Sequence, residues 1–186
     1  MKIRSIIAIL TISVFISGCY GSIEHFTSVR DKEQKTKINH FFIIPDLEKV
    51  YGVEFTNAFK NNFAGLLRKY GCDSKSLTFN LHNDSRTLIL NDNQTDSIKI
   101  NLLKSEISAY SPKYLFYIGI DKSWGYTSGK IAKSTIIITI KSSDSGTEIY
   151  KASLDFLSGS DLIKNNEAGG KFAEILFDRL QKDKII

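Results

Sequence analysis

An apolar stripe at helical spacing constrains the fold of this chain more than any other feature. Its members are Phe55, Phe59, Phe63, Leu66, Leu67 and Tyr70. Residues three or four positions apart share one face of an α-helix, so the pattern predicts a helix over residues 53–70, with Gly71 just after its last turn. Such a helix has to bury its stripe, and another layer of structure must supply the cover.

Short apolar runs bounded by turn residues predict the strands of a sheet. The predicted strands cover residues 38–44, 77–81, 114–120, 133–141 and 147–156, and residues 88–90 are a further candidate for a short edge strand. Pro45 is expected to end the first strand. Residues 143–146 (SDSG) predict a hairpin turn, whereas residues 121–132 predict a longer link.

Two further helices complete the predicted elements. Residues 97–110 fit a helix loosely, although Ile98, Ile100 and Leu102 also alternate as in a strand. We expect a helix because the residue before Pro112 is biased away from helical geometry, which makes a natural stop. The closing helix ends near residue 182 and is marked by Ala168, Phe172, Ile175, Leu176 and Leu180.

The order strand, helix, strand, helix, three-strand meander, helix predicts an α+β fold. We expect a two-layer sandwich, in which about three helices cover one face of a mixed sheet of about five strands. Of the 186 residues, 42% are hydrophobic and 24% are charged, as in a globular chain with one core. Residues 38–186 are therefore assigned to a single α+β domain.

The amino terminus has the pattern of an export signal. Lys2 and Arg4 form a short basic region, and residues 6–16 (IIAILTISVFI) form an apolar run. A membrane-spanning helix needs about 20 apolar residues, so this run is too short to span and suits a secretory signal.

The four residues Ile16-Ser17-Gly18-Cys19 resemble the lipobox of bacterial lipoproteins. The resemblance implies that Cys19 carries a thioether-linked diacylglycerol, and that cleavage falls between Gly18 and Cys19. It also implies that the new amino terminus is acylated by a fatty acid such as palmitate. The alternative is an ordinary signal peptide, which leaves Cys19 without a role.

The same resemblance implies an address and a domain organisation. Position 20 is Tyr rather than the Asp that often signals retention in the inner membrane, which favours the outer membrane, with the domain in the periplasm. Residues 1–18 are then the signal peptide and residues 19–37 are the lipidated cysteine with a flexible tether. Alternatively, part of residues 23–29 packs on the domain.

The charge distribution disfavours nucleic-acid binding. Removal of Lys2 and Arg4 with the signal lowers the formal net charge from +5 to +3, and no dense basic run remains. The expected partners are instead the membrane, through the covalent lipid, and an unknown envelope protein.

Local features of the domain resemble those of the TolB amino-terminal domain, the curli-secretion lipoproteins and the peptidoglycan synthase activator lipoproteins. The resemblance is carried by the turn at residues 70–72, the strand at residues 112–119 and the hairpin at residues 145–150. It implies the fold and the envelope compartment. The chain lacks the long hairpins of the curli channel family and the long proline-containing tether of the activators, so no partner is implied.

Sequence motifs predict no catalytic residue, no metal site and no cofactor. Residues 125–130 (GYTSGK) have three residues between the glycines and no Ser or Thr after Lys130, unlike a phosphate-binding loop. The histidines are not spaced as metal ligands. Cys72 is expected to be a small buried hydrophobe. Trp124 and Tyr126 are the candidate partner contact, although Trp124 can instead fold back over the sheet.

These observations favour a lipid-anchored envelope lipoprotein that acts as a protein-interaction or assembly module and is not an enzyme. One alternative is a carrier of small ligands or lipids, which requires a continuous apolar cavity. A further alternative is an envelope hydrolase, which requires a nucleophile or a carboxylate pair with shifted titration in a cleft.

Overall fold

The structure, a computed structural model, describes residues 22–31, 37–79, 81, 92–125, 131–159 and 166–186. The described strands are β1 (Ser22–Arg30), β2 (His40–Asp46), β3 (Asp73–Ser76), β4 (Tyr114–Gly125), β5 (Ile131–Ser142) and β6 (Glu148–Gly159). The described helices are α1 (Glu48–Lys69), α2 (Asp92–Tyr110) and α3 (Asn166–Lys182). The predicted α+β class is confirmed.

The strands form one mixed sheet in the order β1-β6-β5-β4-β2-β3. Strand β2 is parallel to β3 and β4, while the pairs β4–β5, β5–β6 and β6–β1 are antiparallel. The sheet is open, with β1 and β3 at its edges. The predicted three-strand meander is confirmed, and Gly146 in its hairpin has a φ of 69°, which glycine adopts without strain.

The helices do not share one face of the sheet, so the expected two-layer arrangement is wrong for α2. Phe41 and Ile43 of β2 belong to the main core, which α1 and α3 cover. Phe42 and Ile44 belong to a second core, against which Leu103 of α2 packs. Because successive strand residues point to opposite faces, α2 lies across the sheet from α1.

The directions of the two crossovers explain this placement. The chain passes from β2 outward to β3 through α1, and then back across β2 to β4 through α2. Crossovers between parallel strands are right-handed in nearly all proteins, and two that run in opposite directions have the same hand only if their helices lie on opposite faces.

The flexible tether expected over residues 19–37 is wrong for residues 22–30, which form β1. The alternative, that part of this segment packs on the domain, is confirmed because Ile23 and Phe26 pack against the main core. A register shift between Glu24 and Phe26 places His25 at a φ of 45°. This bulge interrupts the two-residue alternation, and the strand therefore has no period in the sequence.

Pro45 lies inside β2 and does not end it. The Leu77 amide donates to the carbonyl of Ile43 at an N–O distance of 3.0 Å, which is typical of a sheet. Pro45, two residues further on, has its nitrogen on the same side of the strand, where β3 has already ended at Ser76. A residue without an N–H is therefore tolerated there.

The prediction of a strand over residues 77–81 is also wrong. The strand in this region is β3, which covers residues 73–76, and the described residues among 77–81 that follow it are not in a strand. Leu77 is buried in the second core, and Phe79 and Leu81 pack against that core. Their alternation reflects contact with one apolar cluster rather than strand pairing. The link expected over residues 121–132 is shorter, since β4 extends to Gly125 and β5 begins at Ile131.

Helices α1 and α3 approach each other closely at a glycine. A Cβ atom built on Gly169 would lie 2.3 Å from the backbone oxygen of Phe55 and 3.1 Å from Cβ of Ala58. The backbone of α1 cannot yield as a flexible side chain would, so a larger residue at position 169 has to push the helices apart.

We predict that Gly169→Ala lowers the free energy of unfolding by about 1–3 kcal/mol, through overpacking of the α1–α3 contact. Gly65→Ala is the matched control, because its Cβ meets no atom within 4 Å. Its higher helix propensity should raise stability by up to about 1 kcal/mol. Urea denaturation of the chain from residue 20 onward measures both, and equal effects would contradict the close approach.

Candidate functional site

Trp124 is the predicted site residue that lies among the described residues, at one end of the sheet. Gly18 and Cys19 lie outside the described residues, as does Tyr126. Trp124 lies in β4, with its Cα opposite that of Lys133 in β5. The structure therefore places Trp124 on a paired strand, and its role as a partner contact stays a prediction.

Four residues align across the sheet at this end and are here called the end row. Ser22 of β1 pairs with Leu157 of β6, Leu157 pairs with Lys133 of β5, and Lys133 pairs with Trp124 of β4. The end row thus brings together the start of the first described strand and Trp124. No sequence pattern relates these positions, because the alignment is set by hydrogen bonds between distant strands.

The face of β1, β6, β5 and β4 that turns away from the main core is here called the open face. One row across it runs Val29, Lys151, Thr139, Tyr117, and the next runs Thr27, Ser153, Ile137, Gly119. Val29 is 74% exposed and Tyr117 is 36% exposed. Among the described residues, the second core reaches only as far as Leu115 of β4. The open face therefore presents apolar groups beside lysine and hydroxyl groups.

Asp155 provides a fixed charge on the open face. Thr135 Oγ1 donates to its Oδ1 at 2.7 Å, and Lys133 Nζ lies 3.2 Å from its Oδ2. The hydrogen bond from Thr135 and the ammonium of Lys133 lower the pKa of Asp155, while partial desolvation opposes them. The carboxylate is thus ionised and held in place at neutral pH.

A buried lysine lies between α1 and the chain that follows β3, and the sequence did not reveal it. Lys60 is 8% exposed, and its Nζ donates to the carbonyl of Leu77 at 3.4 Å. Burial lowers the pKa of Lys60, and the carboxylates of Glu48 and Glu106 oppose this shift. The only sequence signal for the burial of Lys60 is its position three residues before Phe63, at the edge of the apolar stripe.

Glu106 connects this lysine region to α2. Its Oε2 accepts the Thr78 amide at 3.2 Å, and its Oε1 accepts the Thr78 hydroxyl. Lys60 therefore holds α1, and Glu106 holds α2, to the same segment after β3. The arrangement ties the two faces of the sheet together, which is a structural task.

Lys60 should make stability depend on pH. Its folded pKa lies below its unfolded value, so the unfolding free energy rises as pH increases through the folded pKa towards about 10.4. We predict that Lys60→Met reduces this rise, so that the stability of the variant relative to the native chain falls as the pH increases towards about 10.4.

Lys69→Met, at an exposed position in the last turn of the same helix, is the control and should leave the pH dependence unchanged. Urea titrations at several pH values provide the measurement. Parallel curves for the native chain and Lys60→Met would contradict the buried state of Lys60.

The side chains of Cys72 and His40 contact neighbouring parts of the fold. Cys72 is buried, its Sγ lies 3.8 Å from the carbonyl of Ile38, and burial raises its thiol pKa, which confirms a small buried hydrophobe. His40 is half-buried in β2, with Nε2 3.3 Å from a carboxylate oxygen of Asp73 and its ring centroid 4.8 Å from that of Tyr110.

Within the described ranges, no three or more His, Cys, Asp or Glu side chains are grouped as metal ligands. No helix there combines the length and the apolar character needed to cross a bilayer.

No protein-family model matches the chain, and no curated protein matches it. A dodecamer of PelC from Paraburkholderia phytofirmans is similar in structure, with a TM-score of 0.47 and 9% identity over 82% of this chain and 96% of PelC. Another PelC dodecamer from the same organism, in a different crystal form, has a TM-score of 0.41 and 9% identity over 79% of this chain and 94% of that chain.

The crystal structure of lipoprotein GNA1162 from Neisseria meningitidis is also similar, with a TM-score of 0.42 and 14% identity over 76% of this chain and 98% of that chain. All three TM-scores are below 0.5, so these likenesses establish neither a family nor a function for this chain.

Proposed function

We propose that this chain is a lipid-anchored protein of the bacterial envelope. The observation that carries the proposal is the sequence Ile16-Ser17-Gly18-Cys19 directly after a basic region and a short apolar run. A diacylglycerol on Cys19 with an acylated amino terminus supplies more than one buried chain, at about 0.8 kcal/mol per methylene group, which is enough for stable attachment.

The proposed location is the outer membrane, with the domain on the periplasmic side. Tyr20 in place of Asp supports this address. The domain begins close to the anchor, because only Tyr20 and Gly21 separate Cys19 from the first residue of β1. The anchor therefore determines where the domain lies, and the domain needs no membrane-spanning segment of its own.

The proposed role of the domain is protein interaction rather than catalysis. The open face supports this role, because it combines exposed apolar groups, such as Tyr117, with Lys151 and a fixed carboxylate at Asp155. Protein contacts use this mixture, in which aromatic groups supply affinity and charged groups supply register and specificity. The strands beneath the face hold these groups in a rigid array.

Substitution of the anchor cysteine tests the first part of the proposal. We predict that Cys19→Ser gives a chain without acyl mass that leaves the membrane fraction or remains unprocessed, because the thioether cannot form. Mass spectrometry of the native amino terminus, compared with Cys72→Ser as the control cysteine variant, provides the measurement. A native mature chain that begins elsewhere and carries no acyl group would contradict the proposal.

Site-specific photocrosslinking in the native host tests the interaction role. We predict that benzoylphenylalanine in place of Lys151, on the open face, crosslinks one discrete envelope protein, and that Tyr117→Ala removes that product. The control position is Glu174, which is exposed on α3. Equal products from both positions, or none from Lys151, would contradict docking on the open face.

A further inference from the structure

We propose that the end row of the sheet, including Trp124, lies at the surface of the membrane that holds the anchor. The ligand of this surface is the headgroup region of that bilayer. The inference rests on the proposed lipid anchor at Cys19 and adds an orientation of the domain, which the anchor alone does not specify.

The first step of the argument is covalent reach. Ser22 is three residues after Cys19 and is the first residue of β1. An extended chain spans at most about 3.6 Å per residue, so the two Cα atoms are at most about 11 Å apart. The start of β1 therefore stays within about 11 Å of an anchor that sits among the headgroups.

The second step is register. Ser22 and Trp124 belong to the end row, with Leu157 and Lys133 between them. Neighbouring strands are about 4.8 Å apart, so the three intervals place the backbone of Trp124 about 14 Å from that of Ser22, sideways along the sheet. An orientation that brings only Ser22 to the membrane requires a tilt of the sheet that lifts Trp124 away.

The third step is chemistry. Tryptophan is enriched at the level of the lipid headgroups, where its apolar ring and its N–H are both accommodated. Asp121, Lys122 and Ser123, which precede Trp124, are exposed and polar, as the headgroup region requires. Asp121 and Lys122 have opposite charges, so the contact does not depend on anionic lipid.

The opposite end of the domain provides an internal reference. Tyr70, which is 62% exposed, follows the last turn of α1, close to the start of β3 at Asp73. The pairing of His40 with Asp73 and of Phe41 with Tyr114 shows that Tyr70 lies at the end of the sheet where β4 begins. Trp124 is ten positions after Tyr114 along β4, which corresponds to about 33 Å.

The experiment uses the fluorescence of Trp124, the only tryptophan of the chain. The full protein, as its native host produces it, is reconstituted with phosphatidylcholine vesicles, with or without bromine atoms on the acyl chains close to the headgroup. We expect brominated lipid to reduce the emission of Trp124 about two-fold or more, since an interfacial ring lies within contact range of the quencher. Raised salt should not reverse this quenching.

The control variant combines Trp124→Phe with Tyr70→Trp, which moves the single tryptophan to the far end of the domain at an exposed position. Its emission should be unaffected by brominated lipid, because about 33 Å of strand separates the two ends. Circular dichroism of the variant checks that its fold is retained.

Flotation of the same vesicles separates the two proposals. If the protein does not float with the lipid, the anchor itself is refuted. If the protein floats but Trp124 is not quenched, or is quenched no more than the relocated tryptophan, the orientation is refuted while the anchor stands. An emission change of Trp124 that needs an added envelope protein rather than lipid also overturns the orientation and favours a protein contact.

Discussion

Burial of the aromatic stripe of α1 between the sheet and α3 is the interaction on which the rest of the structure depends. Phe55, Phe59 and Phe63 are fully buried, and their rings lie 5.3–6.1 Å from partners on the sheet and on α3, namely Phe63–Phe116, Phe59–Phe172 and Phe55–Phe156. Burial of one such side chain contributes about 1.5–3 kcal/mol. This single contact region holds α1 to β4, to β6 and to α3.

The same packing determines which surfaces remain available. Helices α1 and α3 cover one face of the sheet, and α2 packs only near β2 on the other. Among the described elements, only α2 borders the open face. The strands of this face run from the end row towards the opposite end of the sheet. In the proposed orientation, the membrane lies at the end row and the open face extends outward from the bilayer into the envelope space, where a protein partner has access to it.

Local patterns predicted part of this structure well. The stripe from Phe55 to Tyr70 predicted most of α1, and the turn at Gly146 predicted the hairpin between β5 and β6. The predictions failed where distant contacts prevail over local ones. The bulge at His25 hides the period of β1, and Leu77 alternates with its neighbours because of the second core. Lys60 is buried because the carbonyl of Leu77 and two carboxylates lie around it.

The sequence by itself predicted an export signal and an anchor at Cys19, and it determined the type of most elements, because each depends on residues close together in the chain. Only the tertiary structure decided that α2 lies across the sheet from α1, that Lys60 is buried, and that Ser22 and Trp124 share one row. Those features follow from crossover direction, from packing between distant segments and from hydrogen-bond register between strands such as β1 and β6, in which Ser22 pairs with Leu157, and no local spacing encodes them.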